Sequence, residues 1–400
     1  LNVEANMFDG MVLLSTCDSI VPGHLMAAAR LDIPAVVVTG GYMPHCFYRG
    51  HDIGLTEVSS SVGKVMEGKM PRGDFDDMVG CAHAGQGACG SMTTANSMCC
   101  IAEALGMAMP NNSTTDATNK RIGGMAYEAG RHVMRMLAAG ITTRAIITEK
   151  ALENAIITDI AIGGSTNLLL HIPAIATEAG IDRDWWKFFD EASHRIPLLT
   201  GIAPNGKYYF KDFDAAGGMQ ALLKNLMPEL HADCLAINGK TIGENAAGAP
   251  IYNAEVIRSL DNPVINDGGI AVLYGNIAPE GAIIKTAAVP ESMLRFVGAA
   301  KVFHDVDDAT AALRRGDITP GTVAVIRYLG PKGRFGTTAF TFQKELAGMS
   351  IADNVAIMSI PSRFGQRETT IKLGESIDKD YCRGVAGCTV GTICGGGGGG

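Results

Sequence analysis

Three short segments of the 400-residue chain gather side chains that hold metals and small anions. The first reads Thr16-Cys17-Asp18-Ser19-Ile20-Val21-Pro22-Gly23. It follows an apolar run and leads into a helical pattern, so it should lie at the carboxyl end of a strand, where α/β proteins bind ligands. A thiol at a helix start is favoured as thiolate by the helix dipole, which suits it to metal. Asp18 beside it could hold a hard cation such as Mg²⁺. The plainer alternative is a buried cysteine followed by an N-capping aspartate.

The second segment runs from Cys81 through His83, Gly85, Gly87, Cys89 and Gly90 to Asn96, again bringing glycines and a cysteine to a helix start. Gly85-x-Gly87-x-x-Gly90 matches the dinucleotide fingerprint. No hydrophobic strand precedes it, however, and no acidic residue follows at the required spacing. Cys81 and His83 could be zinc ligands, but no second pair completes such a site. The third segment is Gly163-Gly164-Ser165-Thr166-Asn167. Gly164, Ser165 and Thr166 at a helix start would seat an anion or carboxylate. An ordinary helix cap is the alternative. His171, just beyond, reads as a core histidine.

The surrounding patterns show how these segments are positioned. Met11–Ser15 and Ala35–Thr39 read as buried strands, with a helix from Pro22 to Leu31 between them. This βαβ-like unit implies a parallel sheet. Helical patterns return at Met92–Leu105, Met125–Ala139, Glu149–Ile157 and Asn167–Ala179. From His231 onward, runs such as CLAINGKT, GIAVLYGN, KVFHDV and TVAVIRYLG alternate with turns, which predicts a β-rich, barrel-like domain. The expected division is therefore an N-terminal α/β domain over 1–230 and a C-terminal domain over 231–394. The six glycines of 395–400 form a tail that cannot pack.

Hydrophobic residues are 47% of the chain and charged residues 18%, enough apolar material for two cores. The net charge of −8, with no basic stripe, argues against nucleic acid as a partner. No apolar run is long enough to span a membrane. The first residues carry no signal-peptide pattern and no initiator Met, which reads as a cytoplasmic chain beginning part-way through a longer one. Ten cysteines without a secretory signal suggest thiols rather than disulfides. Cys46, Cys99, Cys100 and Cys234 read as small buried apolar residues.

Taken in order, the chain resembles the dihydroxy-acid and sugar-acid dehydratase family of iron–sulfur hydro-lyases. The resemblance is carried by CDSIVPGHLMAAARLDIPAVVVTGG, GACGSMTTANSMCCIAEALGMAMP, GGSTNLLLHIPAIATEAGI, DCLAINGKTIGEN, GGIAVLYGNIAPEGAIIKTAAV and VIRYLGPKG. It implies an N-terminal α/β domain holding the cluster and a C-terminal swivelling β/β/α domain. It also implies dehydration of a 2,3-dihydroxy acid to a 2-keto acid, with a cluster (2Fe–2S favoured over 4Fe–4S) as Lewis acid beside Mg²⁺. Cys17 and Cys89 would then ligate the cluster and Asp18 the Mg²⁺. The implied assembly is a homodimer or higher homo-oligomer.

The chain departs from the family pattern at several catalytic positions. The family's upstream cysteine and aspartate fall before this chain begins. Its carbamylated lysine corresponds to Ser19, its Mg²⁺-binding glutamate to Ala339 and its base serine to Gly365. These losses predict little turnover. The substrate expected is a 2,3-dihydroxy-3-methyl carboxylate of branched-chain amino-acid synthesis. A sugar acid (aldonate or phosphogluconate) and a non-catalytic degenerate paralogue are the alternatives.

Overall fold

The computed structural model describes residues 1–82, 84–275, 278–329, 339–361 and 389–390. The fold is α/β. Contacts divide the chain into one unit of Leu1–Cys46 with His83–Gly269, and another of Phe47–Ala82 with Ile270–Gly400.

In the first unit, strand β1 (Met11–Ser15) pairs in parallel with strand β2 (Ala35–Thr39), from Met11 opposite Ala35 to Ser15 opposite Thr39. The β-branched run of β2 is wholly buried, as parallel strands covered on both faces require. Helix α1 (Ile20–Leu31) connects them and buries Val21, Leu25, Ala28 and Ala29, a stripe at helical spacing. It begins two residues before Pro22. The proline thus occupies the first turn, where its missing N–H breaks no intrahelical bond.

Helix α2 (Thr94–Ala104) has every residue buried except the first, so it forms the centre of this unit. Helix α3 (Arg121–Ala139) packs on β2 and β1, while α4 (Glu149–Ile162) contacts α2. Helix α5 (Leu168–Ala179) lies against α1. Residues 231–269 also pack within this unit. Asn154 and His231 exchange hydrogen bonds through the asparagine side chain, and the Ile237 N–H donates to the Gly106 carbonyl. The CLAINGKT run, expected as a strand, forms a turn instead, closed by the Ala236 N–H on the Lys240 carbonyl. A capping box of Thr241 and Glu244 then starts a short helix, satisfying the backbone locally.

The second unit is built on a six-stranded mixed sheet. Its strands are β3 (Ala271–Gly275), β4 (Ala278–Ile284), β5 (Ala299–Phe303), β6 (Thr322–Leu329), β7 (Val355–Pro361) and β8 (Thr389–Val390), in spatial order β3-β4-β8-β7-β6-β5. Strands β5, β6 and β7 are parallel neighbours. The β-rich expectation is met, but among the described residues the sheet is open and not a closed barrel. The core lies between the sheet and helices α6 (Val306–Arg314) and α7 (Phe340–Ala347), around Leu313, Ile326, Phe342 and Val355. Ala339 belongs to this core and is fully buried. The Leu55–Met66 helix packs on α7, where Gly63 leaves room for the Glu345 carbonyl. Among the described residues no helix is long and apolar enough to cross a membrane.

Candidate active site

The three chemistry-bearing segments sit at the starts of three helices of the first unit that pack on one another in the pairs α1–α5 and α1–α2. Cys17 stands between the end of β1 and the start of α1, as its pattern predicts. It is exposed and adopts φ +84°. A non-glycine residue in the left-handed region costs of the order of 1–3 kcal/mol and persists where the surroundings enforce it. Thr16 is one such constraint, since its hydroxyl fills the place a Cβ on Gly40 would need. Ser15, fully buried at the end of β1, shares a 2.7 Å hydrogen bond with Nδ1 of His24 on α1.

Asp18 does not cap α1. The N-cap residue is Ser19, with no side-chain capping bond, and its hydroxyl donates to Asp18 Oδ1 at 3.3 Å. Asp18 instead acts on His171 of α5. Burial pushes the His171 imidazole below its ordinary range, and the Asp18 carboxylate opposes that push. His171 is half-buried, so the expected core histidine faces the first segment electrostatically.

Cys89 is half-buried in the turn before α2. Asn96, in the first turn of α2 and almost wholly buried, donates through its side-chain amide to the carbonyls of Cys89 and Ser91. The glycines of this segment serve close packing. A Cβ on Gly87 would come within 2.7 Å of the Met43 nitrogen, and one on Gly90 within 2.2 Å of the His45 ring. The space a dinucleotide would need against this backbone is filled by residues 42–45. Cys81 ends the Arg72–Cys81 helix in the other unit. His83 lies outside the described residues.

The third segment joins the second through hydroxyl groups. Thr94 Oγ1 lies 2.7 Å from Ser165 Oγ and accepts from the Asn167 amide at 3.1 Å. Ser165 also accepts from the Asn167 backbone N–H at 3.2 Å. Gly163 ends α4 in the left-handed region, at φ +59°. Gly164 leaves space for Asp159, whose Oδ1 would lie 1.8 Å from an added Cβ. Thr166 is half-buried beside these groups.

Cys99, Cys100 and Cys234 are buried, as expected, while Cys46 is only half-buried. Burial pushes the Cys99 thiol up to about 12, and the neighbouring Cys17 adds to the push. Burial also raises Cys100 strongly, and Cys234 to about 11. These thiols remain protonated near neutrality and are poor metal ligands.

Thr94, Asn96 and Asp159 were not singled out by motif reading. Asp159 did leave a signal, a lone carboxylate in the apolar run of α4. Thr94 and Asn96 look like ordinary polar residues of a helix start. The donor types present, two accessible thiols and one carboxylate, match the soft and hard halves of an iron and magnesium site. Among the described residues, however, no three His, Cys, Asp or Glu side chains form a group that could hold a metal ion. The described donors therefore do not complete such a centre. Gly365 lies outside the described residues.

The fold thus defines an α/β protein with thiol-, carboxylate- and hydroxyl-bearing segments at the starts of three helices. Residues 1–245 match the dihydroxy-acid/6-phosphogluconate dehydratase N-terminal domain, and residues 255–364 match the C-terminal domain of the same family. The chain belongs to this dehydratase family of hydro-lyases. It is 43% identical over 364 residues to dihydroxy-acid dehydratase 1 of Methanosarcina acetivorans, covering 90% of this chain and 66% of the relative. It is 42% identical to the dihydroxy-acid dehydratases of Methanococcoides burtonii and Moorella thermoacetica, over 89% of this chain and 65% of each relative. The chain thus spans just under two thirds of the length of these relatives.

Proposed function

We propose that this chain derives from a hydro-lyase that converts a 2,3-dihydroxy carboxylic acid to a 2-keto acid. The observation that carries the reading is the packing of three helices whose starts hold Cys17 with Asp18, Cys89 with Asn96, and Ser165 with Thr166. Helix N-termini present unpaired N–H groups and positive potential, which suit a substrate carboxylate. Gly164, Ser165 and Thr166 would supply that seat, with Thr94 holding Ser165 and Asn167 in place.

Cys17 and Cys89 would contribute thiolates to an iron–sulfur cluster, 2Fe–2S rather than 4Fe–4S, and Asp18 would contribute a carboxylate to Mg²⁺. When bound, these groups supply Lewis acidity toward a hydroxide leaving group. The chain itself lacks other parts of the reaction. Gly365 has no side chain to take the C2 proton, Ser19 cannot carry a carbamate, and Ala339 offers no carboxylate. The chain as it stands is therefore expected to bind iron without efficient turnover.

The favoured substrate is a 2,3-dihydroxy-3-methyl carboxylate, in cytoplasmic branched-chain amino-acid synthesis, acted on by a homodimer or higher homo-oligomer. The relatives' shared name supports this substrate over a sugar acid. The test is anaerobic reconstitution with iron and sulfide, followed by visible absorbance, iron per chain and 2-keto acid formation from both substrate types. Coloured protein whose iron falls in Cys17→Ser and Cys89→Ser is the expected result. Colourless protein would remove the cluster role, and turnover above the Cys89→Ser control would refute the expected loss of catalysis.

A further inference from the structure

We propose that Arg327, with His304 and Tyr328, forms an oxyanion-binding site on the second unit, from residues that the proposed dehydratase chemistry does not use. The three residues lie at the carboxyl ends of the parallel neighbours β5 and β6. His304 follows the last residue of β5, while Arg327 and Tyr328 sit near the end of β6. Ligands of open α/β sheets bind at this end of the strands.

The local backbone is irregular. The pairing of β6 with β7 shifts register between Arg327 and Leu329, and Tyr328 adopts φ +62°. Ile326 and Leu329 on either side are buried in the core, while Tyr328 is exposed and Arg327 is half-buried. The bulge thus holds two consecutive polar side chains away from the core. Bulges of this kind re-aim side chains beside functional sites.

Arg327 is held by an imidazole and a phenol. Its Nη2 donates to the Tyr328 hydroxyl at 2.7 Å and to His304 Nδ1 at 3.1 Å. The guanidinium lies 4.8 Å from the centre of the Tyr328 ring, and His304 stacks on that ring at 5.8 Å. Among the described residues no carboxylate pairs with Arg327, and its buried Nε–H has no acceptor. This differs from Arg314 and Arg315 nearby, which pair with Glu345 and Asp317. A buried charged donor left unmet is costly, and a planar guanidinium whose orientation is already fixed is suited to bidentate recognition of an oxyanion. The ligand class is a small carboxylate or phosphate. His304 and Tyr328 orient the fork.

The experiment uses the whole chain at low ionic strength. Inorganic phosphate and acetate are titrated calorimetrically into wild type, Arg327→Gln and Arg327→Lys. One anion should bind, with at least a tenfold loss in Arg327→Gln and a smaller loss in Arg327→Lys. The anion bound more tightly distinguishes phosphate from carboxylate. Because a variant could unfold, phenylglyoxal labelling of Arg327 in wild type is followed by mass spectrometry. The bound anion should slow labelling at least threefold. Equal affinity in wild type and a folded Arg327→Gln, absence of binding by wild type, or unprotected labelling would each overturn the proposal.

Discussion

The side-chain amide of Asn96, buried in the first turn of α2, holds the carbonyls of Cys89 and Ser91 and so straps the Cys89 turn to the helix that follows it. Removing it in Asn96→Ala leaves two backbone acceptors without their donor. Each such loss costs about 1–3 kcal/mol when the group stays buried. The expected result is a lower denaturation midpoint and faster alkylation of Cys89 by iodoacetamide. An unchanged alkylation rate in a destabilised variant would show that the strap stabilises the fold without fixing the thiol.

Thr94 joins α2 to the Gly163–Asn167 segment through Ser165 and Asn167. Thr94→Val keeps the shape and removes the hydroxyl, and should cost about 1 kcal/mol in urea unfolding. Thr94→Ser should recover most of that loss. Equal losses in the two variants would assign the effect to packing of the methyl group.

Two glycine substitutions should move stability in opposite directions. An alanine Cβ at Gly164 would meet Asp159 Oδ1 at 1.8 Å, so Gly164→Ala should cost about 1–3 kcal/mol or more through overpacking. Gly123 lies in α3 with nothing within 4 Å of the added atom, and Gly123→Ala should stabilise by about 0.5–1 kcal/mol. Thermal melts of the two variants check both signs.

His24 supplies a pH dependence. Burial lowers its pKa in the folded chain. The unfolded chain therefore binds the proton more readily, so the contribution to stability is present above the ordinary histidine pKa and is lost as pH falls through the window below it. His132 and His171 shift in the same direction through burial. Stability should fall between pH 7.5 and pH 5.5, and His24→Gln should make that fall smaller. An identical slope in wild type and variant would rule His24 out as a contributor.

Much of the first unit was legible because its signals are local. The apolar runs of β1 and β2 and the stripe of α1 declare themselves in adjacent residues, but β1, read as buried, leaves Val12 and Leu14 exposed and buries only Ser15. The end of α4 was read five residues short, at Ile157 instead of Ile162. A helix buried nearly all round has no polar face to mark its phase. The CLAINGKT run misled for a related reason. Its apolar residues suggest a strand, but Asn238-Gly239 folds it back, and Ala236, Ile237 and Ile242 are buried in a turn without a ladder.

The sequence by itself determined the family, the α/β class and the positions of Cys17, Asp18 and Cys89 at helix starts, because motif order and short-range periodicity are properties of the chain alone. Only the tertiary structure decided which groups meet. It set Thr94 against Ser165, across 71 residues, and placed the Asp18 charge where it opposes the lowering of the His171 pKa by burial. It filled the space beside Gly87 and Gly90 with residues 42–45, and it set Arg327 against His304 and Tyr328. These contacts depend on packing between elements distant in sequence, and neither spacing nor residue type encodes that distance.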